Sequence, residues 1–178
     1  MTSCGSEAYK ACKKDFAQFE KSLNAANSME ELSQAGMVSS DFDMMSDNEK
    51  YKMKEKADEL QELYYNKYNQ FAAGAYTFST KGDTYKIVLE NCGAEYKIGG
   101  NAILYKNGVQ IGTGGGWQRA IDSHSVGMCF NRDLVYAYFG TDDLHDQVLL
   151  NVVENSVQSL YGGGLGLNGY DWQSVTKE

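Results

Sequence analysis

The sequence predicts an α+β protein, with helices in its N-terminal part and an antiparallel sheet in the remainder. Up to about residue 73, apolar residues recur at spacings of three and four, which is the period of an amphipathic helix. From Gly74 onward, apolar and polar residues alternate, which is the period of a half-buried strand. The 178 residues include nineteen glycines and no proline, so turns must depend on Gly, Asn, Asp and Ser. We therefore expect an antiparallel helical hairpin in residues 1–73, followed in residues 74–178 by an antiparallel β-meander with one late helix.

The helical part is predicted to contain two long helices joined through a short one. The apolar stripe of the first long helix consists of Tyr9, Cys12, Phe16, Phe19 and Leu23. Ser28 and Glu31 form a capping box at the short helix, and Ser46 with Glu49 forms another at the second long helix. Gly74 is a suitable end for that helix. Because the two apolar stripes would bury each other, we expect an antiparallel hairpin.

The β part is predicted to begin with two hairpins. Lys81, Gly82 and Asp83 separate two alternating runs in AYTFSTKGDTYKIVLEN. The pair Asn107-Gly108 separates two more in NAILYKNGVQIGT and favours a type I′ turn, in which both central residues need positive φ. Further strands are predicted in GWQRAID, SVGMCF and LVYAYFG, where β-branched and aromatic residues are concentrated.

The late helix is predicted near residues 142–158. Leu144, Val148 and Val152 lie at near-helical spacing behind Thr141 and Asp142, which are suitable capping residues. Acidic residues in the first turn would suit the positive end of the helix dipole. The alternative is a mostly buried strand through QVLLNVVEN.

Composition excludes several classes of partner. The formal net charge is -8, and the sixteen basic residues form no block, so we expect no binding to nucleic acid. No segment approaches the roughly 18 consecutive apolar residues of a membrane-spanning helix, so no transmembrane segment is predicted. Four scattered cysteines, without a CxxC pair, predict no structural zinc. A disulfide between Cys92 and Cys129 and a pair of buried thiols there are both consistent with the spacing.

The glycine run in NAILYKNGVQIGTGGGWQ does not match the known phosphate-binding patterns. A dinucleotide fingerprint that starts at Gly112 would need its third glycine at the position of Trp117. A Walker A loop would need Gly-Lys-Ser or Gly-Lys-Thr, which the chain lacks. We therefore predict no cofactor, and a β-bulge or a strand on which another backbone or an aromatic side chain packs closely. The alternative is a ligand-contacting loop with Trp117 as its wall.

Two polar clusters are candidates for chemistry. In AIDSHSVG, the residues His124, Asp122 and Ser125 are of hydrolase type, but catalytic triads are assembled from positions distant in sequence, so a polar turn is the expected interpretation. In DDLHDQ, a divalent metal could bind a second cluster, which consists of Asp142, His145 and Asp146. We interpret that cluster as the solvated first turn of a helix and predict no metal site.

The N-terminal residues MTSCGSEAYK resemble the processed end of a bacterial lipoprotein, in which Cys4 carries the lipid. This resemblance implies a lipid-anchored protein of the bacterial cell envelope, on the periplasmic side or at the surface. The alternative is an ordinary N-terminus with an incidental cysteine.

Tyrosine and tryptophan are abundant in the β part, and such side chains suit the recognition of glycans or proteins. We expect an exposed aromatic face, whose members are Trp117, Arg119, Tyr138 and Trp172. The leading functional hypothesis is a non-enzymatic binding module that recognises a glycan or protein through this face. One alternative is a hydrolase that uses His124 or His145, and another is an assembly subunit that self-associates through the helical arm.

Overall fold

The computed structural model describes residues 5–35, 43–91, 98–112, 115–119, 134–140, 147–160 and 172–178. Within these ranges the chain forms three helices and one large antiparallel sheet, which confirms the α+β class. The helices are α1 (Glu7–Ala25), α2 (Met29–Ser33) and α3 (Asp47–Ala72). The strands are β1 (Gly74–Thr80), β2 (Asp83–Leu89), β3 (Ile98–Lys106), β4 (Val109–Gln110), β5 (Gly115–Arg119), β6 (Leu134–Tyr138), β7 (Gln147–Asn151), β8 (Ser156–Leu160), β9 (Gln173–Ser174) and β10 (Thr176–Lys177). The described residues fall into two compact units, one up to Tyr68 and one from Asn69 onward.

The predicted capping box at α3 is present in the first unit, and the one at α2 is present with its second bond made by the amide of Asn27, one residue before Ser28. Ser28 Oγ accepts a hydrogen bond from Glu31 N at 3.1 Å, while the Glu31 carboxylate accepts from Asn27 N at 2.7 Å. Glu49 accepts from Ser46 N at 3.0 Å and from Ser46 Oγ at 2.9 Å. These bonds satisfy amide groups that have no partner within their own helix, and so they fix where α2 and α3 begin.

The two long helices run in the same direction, which corrects the expected antiparallel hairpin. Near the start of α1, Ser6 N donates to the Glu49 carboxylate at 2.7 Å, and Glu49 lies at the start of α3. Beyond the end of α1, the carbonyl of Ala26 accepts from Lys67 Nζ at 2.8 Å, and Lys67 lies near the end of α3. The 19 residues of α1 span roughly 28 Å, and the connection 26–46 is long enough to return the chain over that distance. A short link would have required an antiparallel pair, but this link permits a parallel one.

The sheet of the second unit follows the chain order closely. Its strands lie in the order β10-β1-β2-β3-β5-β6-β7-β8-β9, all neighbours are antiparallel, and β4 pairs with β3. Because β9 and β10 follow each other in the chain but pair at opposite ends of this order, the sheet is nearly barrel-shaped. Two hairpin turns have positive φ at both central residues, as type I′ turns require: Lys81-Gly82 and Asn107-Gly108.

The expected late helix is wrong, because residues 147–151 and 156–160 form the paired strands β7 and β8. Val148, Leu149 and Leu150 are all buried, whereas a helix with one apolar stripe would have placed part of this run in solvent. Three consecutive buried residues in a strand mean that both of its faces are covered, which hides the alternation typical of half-buried strands. Leu144 lies outside the described residues.

One face of the sheet, which we call the inner face, carries the apolar core of this unit. Register pairs Tyr76 with Ile87, Ile87 with Leu104, and Ala137 with Val148, and all of these side chains are buried. The opposite, outer face carries the intervening residues of each strand, because side chains alternate along a strand.

Candidate functional site

The glycine run begins at a bulge in the sheet. Ile111 N and Gly112 N both donate to the carbonyl of Leu104, at 2.9 and 3.2 Å. Two residues facing one partner residue is the geometry of a β-bulge, which bends the strand and strengthens its twist. The bulge separates β4 from β5, and these two strands pair with successive parts of β3. Thr113 and Gly114 lie outside the described residues.

The described glycines around this bulge allow close packing. A Cβ atom at Gly115 would overlap the backbone carbonyl of Tyr138, so the chain leaving β6 occupies the space of a side chain. A Cβ atom at Gly99 would overlap the indole ring of Trp117, and the register between β3 and β5 shifts at this point. The predicted close packing of another backbone on the glycine run is confirmed at Gly115, whereas Gly99 lies in β3, outside that run.

Trp117 and Arg119 are buried on the inner face. Trp117 is 1% exposed, and its Nε1 donates to the carbonyl of Glu90 at 3.0 Å. Arg119 is also buried and donates to the side-chain oxygen of Asn69, in the last turn of α3. Both side chains therefore pack in the interior of the second unit, where they contact other residues of the same unit.

The structure does not bring the four expected ligand-binding residues onto one surface. Trp117 pairs with Ala137, so Tyr138, the next residue after Ala137, lies on the outer face. Trp172, immediately before β9, is 44% exposed. Alternation along each strand tells which of its residues share a face. It tells whether Trp117 and Tyr138 share a face only when the register between β5 and β6 is known.

A cluster of uncharged polar and aromatic side chains occupies the outer face at β5, β6 and the start of β7. We call it the tyrosine–glutamine patch, and its members are Gln118, Tyr136, Tyr138 and Gln147. Gln118 Nε2 donates to the Tyr138 hydroxyl at 3.1 Å, and all four residues are half-buried. On the same face, Leu149, which pairs with Tyr136, and Gln158, which pairs with Leu149, are buried. Sequence reasoning identified Tyr138 but not its partners on neighbouring strands.

A second polar cluster surrounds the last turn of α3. Lys177 Nζ donates to the carbonyl of Phe71 and lies 5.3 Å from the ring centre of Tyr76, whose hydroxyl donates to the carbonyl of Ala72 at 2.6 Å. Burial raises the pKa of the Tyr76 hydroxyl above its ordinary value, and burial lowers the pKa of the Lys177 ammonium. A cation at the negative end of a helix dipole is favourable, so this cluster stabilises the junction of helix and sheet.

Several predicted site residues lie outside the described part of the chain: Cys4, Asp122, His124, Ser125, Asp142, His145 and Asp146. The hydrolase, metal and lipid-anchor hypotheses therefore stay predictions. Among the residues that are described, no group of three or more His, Cys, Asp and Glu side chains is placed to hold a metal ion. None of the described helices is long and apolar enough to cross a membrane.

Comparison of the chain with protein-family models, with curated proteins and with solved structures found no significant match. Function must therefore be inferred from the geometry of this chain.

Proposed function

We propose that the protein is a non-enzymatic binding module that recognises an uncharged glycan through the tyrosine–glutamine patch. The supporting observation is the contact of Gln118 Nε2 with the Tyr138 hydroxyl on the outer face, beside Tyr136. Aromatic rings offer flat apolar surfaces to sugar rings, and amide groups offer both donors and acceptors to sugar hydroxyls. An attachment to a bacterial envelope through Cys4 would be compatible with this function and stays part of the proposal.

The four members of the patch include no acidic or basic residue of the Asp, Glu, Lys, Arg or His type, which favours an uncharged ligand. Gln118 and Gln147 keep the same hydrogen-bonding capacity at every ordinary pH, and neither attracts an ion. The net charge of -8 also disfavours acidic glycans, because like charges repel over the whole surface. Neutral oligosaccharides are therefore expected to bind better than sulfated or uronic-acid oligosaccharides.

A glycan array that contains both neutral and acidic oligosaccharides tests this function. We expect binding to neutral members, with at least about fivefold loss in Tyr138→Ala, because aromatic stacking contributes on the order of 1 kcal/mol or more. Tyr138→Phe keeps the ring and removes the hydroxyl, so it should retain most of the affinity. Tyr51→Ala is the matched control, because Tyr51 is 77% exposed on α3 and lies in the first unit.

Two results would contradict the proposal. One is an array without any bound neutral oligosaccharide. The other is a bound oligosaccharide whose affinity falls equally in Tyr138→Ala and Tyr51→Ala.

A further inference from the structure

Gly116 leaves an open space on the outer face of the sheet. It lies in β5, where a glycine lowers stability relative to alanine, and it faces outward because the next residue, Trp117, faces inward. Its φ is not positive, and a Cβ atom there would lie 3.4 Å from the carbonyl oxygen of Gly100, so neither conformation nor packing requires a glycine. Apart from the chain neighbours of Gly116, no other heavy atom of the described residues lies within 4 Å of that Cβ position. A glycine in a strand often marks the close approach of a ligand or another backbone.

The space over Gly116 lies between the tyrosine–glutamine patch and a second polar group. On the β6 side, Ala137 pairs with Trp117, so the next residue, Tyr138, lies beside Gly116 on the outer face. On the β3 side, Gly116 pairs with Asn101. Neighbouring strands lie about 4.8 Å apart, so β3 and β6 are separated by about 10 Å across β5. This separation accommodates one sugar ring between Asn101 and Tyr138.

The second polar group consists of Asn101 and Glu90, both of which are exposed. Asn101 Nδ2 donates to the Glu90 carboxylate at 3.3 Å, and Glu90 N donates to the carbonyl of Asn101 at 2.9 Å. The carbonyl of Glu90 accepts from Trp117 Nε1 at 3.0 Å, so the buried indole fixes the backbone that presents this carboxylate. A carboxylate offers about four acceptor sites, of which Asn101 occupies one. The same carboxylate can therefore accept hydrogen bonds from sugar hydroxyls.

We propose that the space over Gly116 is a subsite for one sugar ring of a neutral glycan, whose hydroxyl groups donate hydrogen bonds to the Glu90 carboxylate. This inference rests on the proposed function, because a glycan held in the subsite also contacts Tyr138. Hydrogen bonds to a charged acceptor are about twice as strong as those between neutral groups. The negative charge of Glu90 also disfavours a sulfate or carboxylate group on the ligand, which strengthens the preference for neutral sugars.

Two variants of the full chain test the subsite, and the probe is the neutral oligosaccharide that binds wild type most tightly on the glycan array. Gly116→Val fills the space with a side chain that suits a strand, so affinity should fall at least about fivefold. Glu90→Gln keeps the size of the side chain and an acceptor for Asn101 but removes the charge. Its affinity should fall about fivefold. Isothermal titration calorimetry measures both variants.

Each variant has a matched control in the same unit. Ser79→Val introduces the same side chain at an exposed outer-face position of β1, which β2 and β3 separate from β5. Glu154→Gln removes one negative charge in the exposed turn between β7 and β8, at the end of β7 away from Gln147. Both controls should bind the probe as wild type does. Urea unfolding establishes whether Gly116→Val and Ser79→Val are folded.

The subsite is overturned if folded Gly116→Val, or Glu90→Gln, binds the probe as tightly as its control. The proposed function stands in that case if Tyr138→Ala still weakens binding. If Gly116→Val does not fold, Glu90→Gln decides by itself. An array without any bound neutral oligosaccharide overturns both the subsite and the proposed function.

Discussion

Gly115 shows how a single missing side chain determines the path of the sheet. The chain leaving β6 at Tyr138 runs so close to Gly115 that a Cβ atom there would overlap backbone. The neighbouring Gly116 has no such restriction, because a Cβ atom at that position would lie 3.4 Å from the carbonyl of Gly100, an ordinary contact distance. Two adjacent glycines thus have different roles, which their identical residue type conceals.

Gly115→Ala is expected to destabilise the sheet, because the backbone of β6 would have to move to accommodate the methyl group. Overpacking of this kind costs about 3 kcal/mol in free energy of unfolding. Gly116→Ala is the matched control and should change that free energy by less than about 1 kcal/mol. Urea unfolding followed by tryptophan fluorescence measures both variants. Equal stability of the two variants would contradict the close approach of β6 to Gly115.

Both long helices have their C-terminal carbonyl groups hydrogen-bonded by a lysine from another element. Neither α1 nor α3 has a basic residue in its own last turn. Lys67 of α3 donates to the carbonyls of Asn24 and Ala26 at the end of α1, at 3.2 and 2.8 Å. Lys177 of β10 donates to the carbonyl of Phe71 at the end of α3. The terminal carbonyls of each helix therefore obtain a cation from an element distant in sequence.

Lys67→Met is expected to lower the free energy of unfolding by about 1 kcal/mol, because it removes a cation from the negative end of the α1 dipole. Methionine preserves most of the aliphatic packing of the lysine stem, so the loss reports on the charge and its hydrogen bonds. Lys52→Met on the exposed face of the same helix should change stability by less than about 0.5 kcal/mol. Urea unfolding followed by circular dichroism is the measurement. If both variants were equally stable, the capping role of Lys67 would be excluded.

Features that depend on neighbouring residues could be predicted from the sequence, whereas most features that depend on contacts between distant segments could not. The capping box of Ser46 with Glu49 and the turn at Asn107-Gly108 depend on neighbouring residues, and both were predicted correctly. The direction of α1 relative to α3 depends on the path of the connection 26–46, for which no local pattern gives a rule. The burial of Trp117 depends on a bulge at Gly99 and on the register with β6, which arise only when strands pair.

At the scale of the whole molecule, two acidic groups that the structure describes, Glu7 and Glu49, make acid-sensitive contacts in the first of the two units. The carboxylate of Glu49 accepts hydrogen bonds from Ser6 and Ser46, which lie directly before α1 and α3. These bonds, chiefly those from the backbone N–H groups of Ser6 and then Ser46, lower the pKa of Glu49 to about 2. A hydrogen bond from Lys10 also lowers the pKa of Glu7, in the first turn of α1. Because both groups favour their charged forms in the folded state, protonation should weaken this unit.

The pH dependence follows from the direction of the Glu49 shift. Its folded pKa lies below the ordinary value of 4.5, so its stabilising contribution is complete above about pH 5 and disappears as the pH falls toward 2. Glu49→Gln cannot ionise and should be less stable than wild type at neutral pH, with a difference that shrinks as the pH falls through this range. Urea unfolding at several pH values, followed by the circular dichroism of the helices, measures that difference.

The two units can be followed separately in the same samples, which makes the prediction sharper. Trp117 and Trp172 both lie in the second unit, so tryptophan fluorescence reports on the sheet, while the helical signal reports mainly on α1 and α3. Glu49→Gln should shift the helical transition more than the fluorescence transition. Glu55→Gln, on the exposed face of α3, is the control and should shift neither. A difference between wild type and Glu49→Gln that stays constant from neutral to acidic pH would show that the Glu49 charge does not hold the two helix starts together.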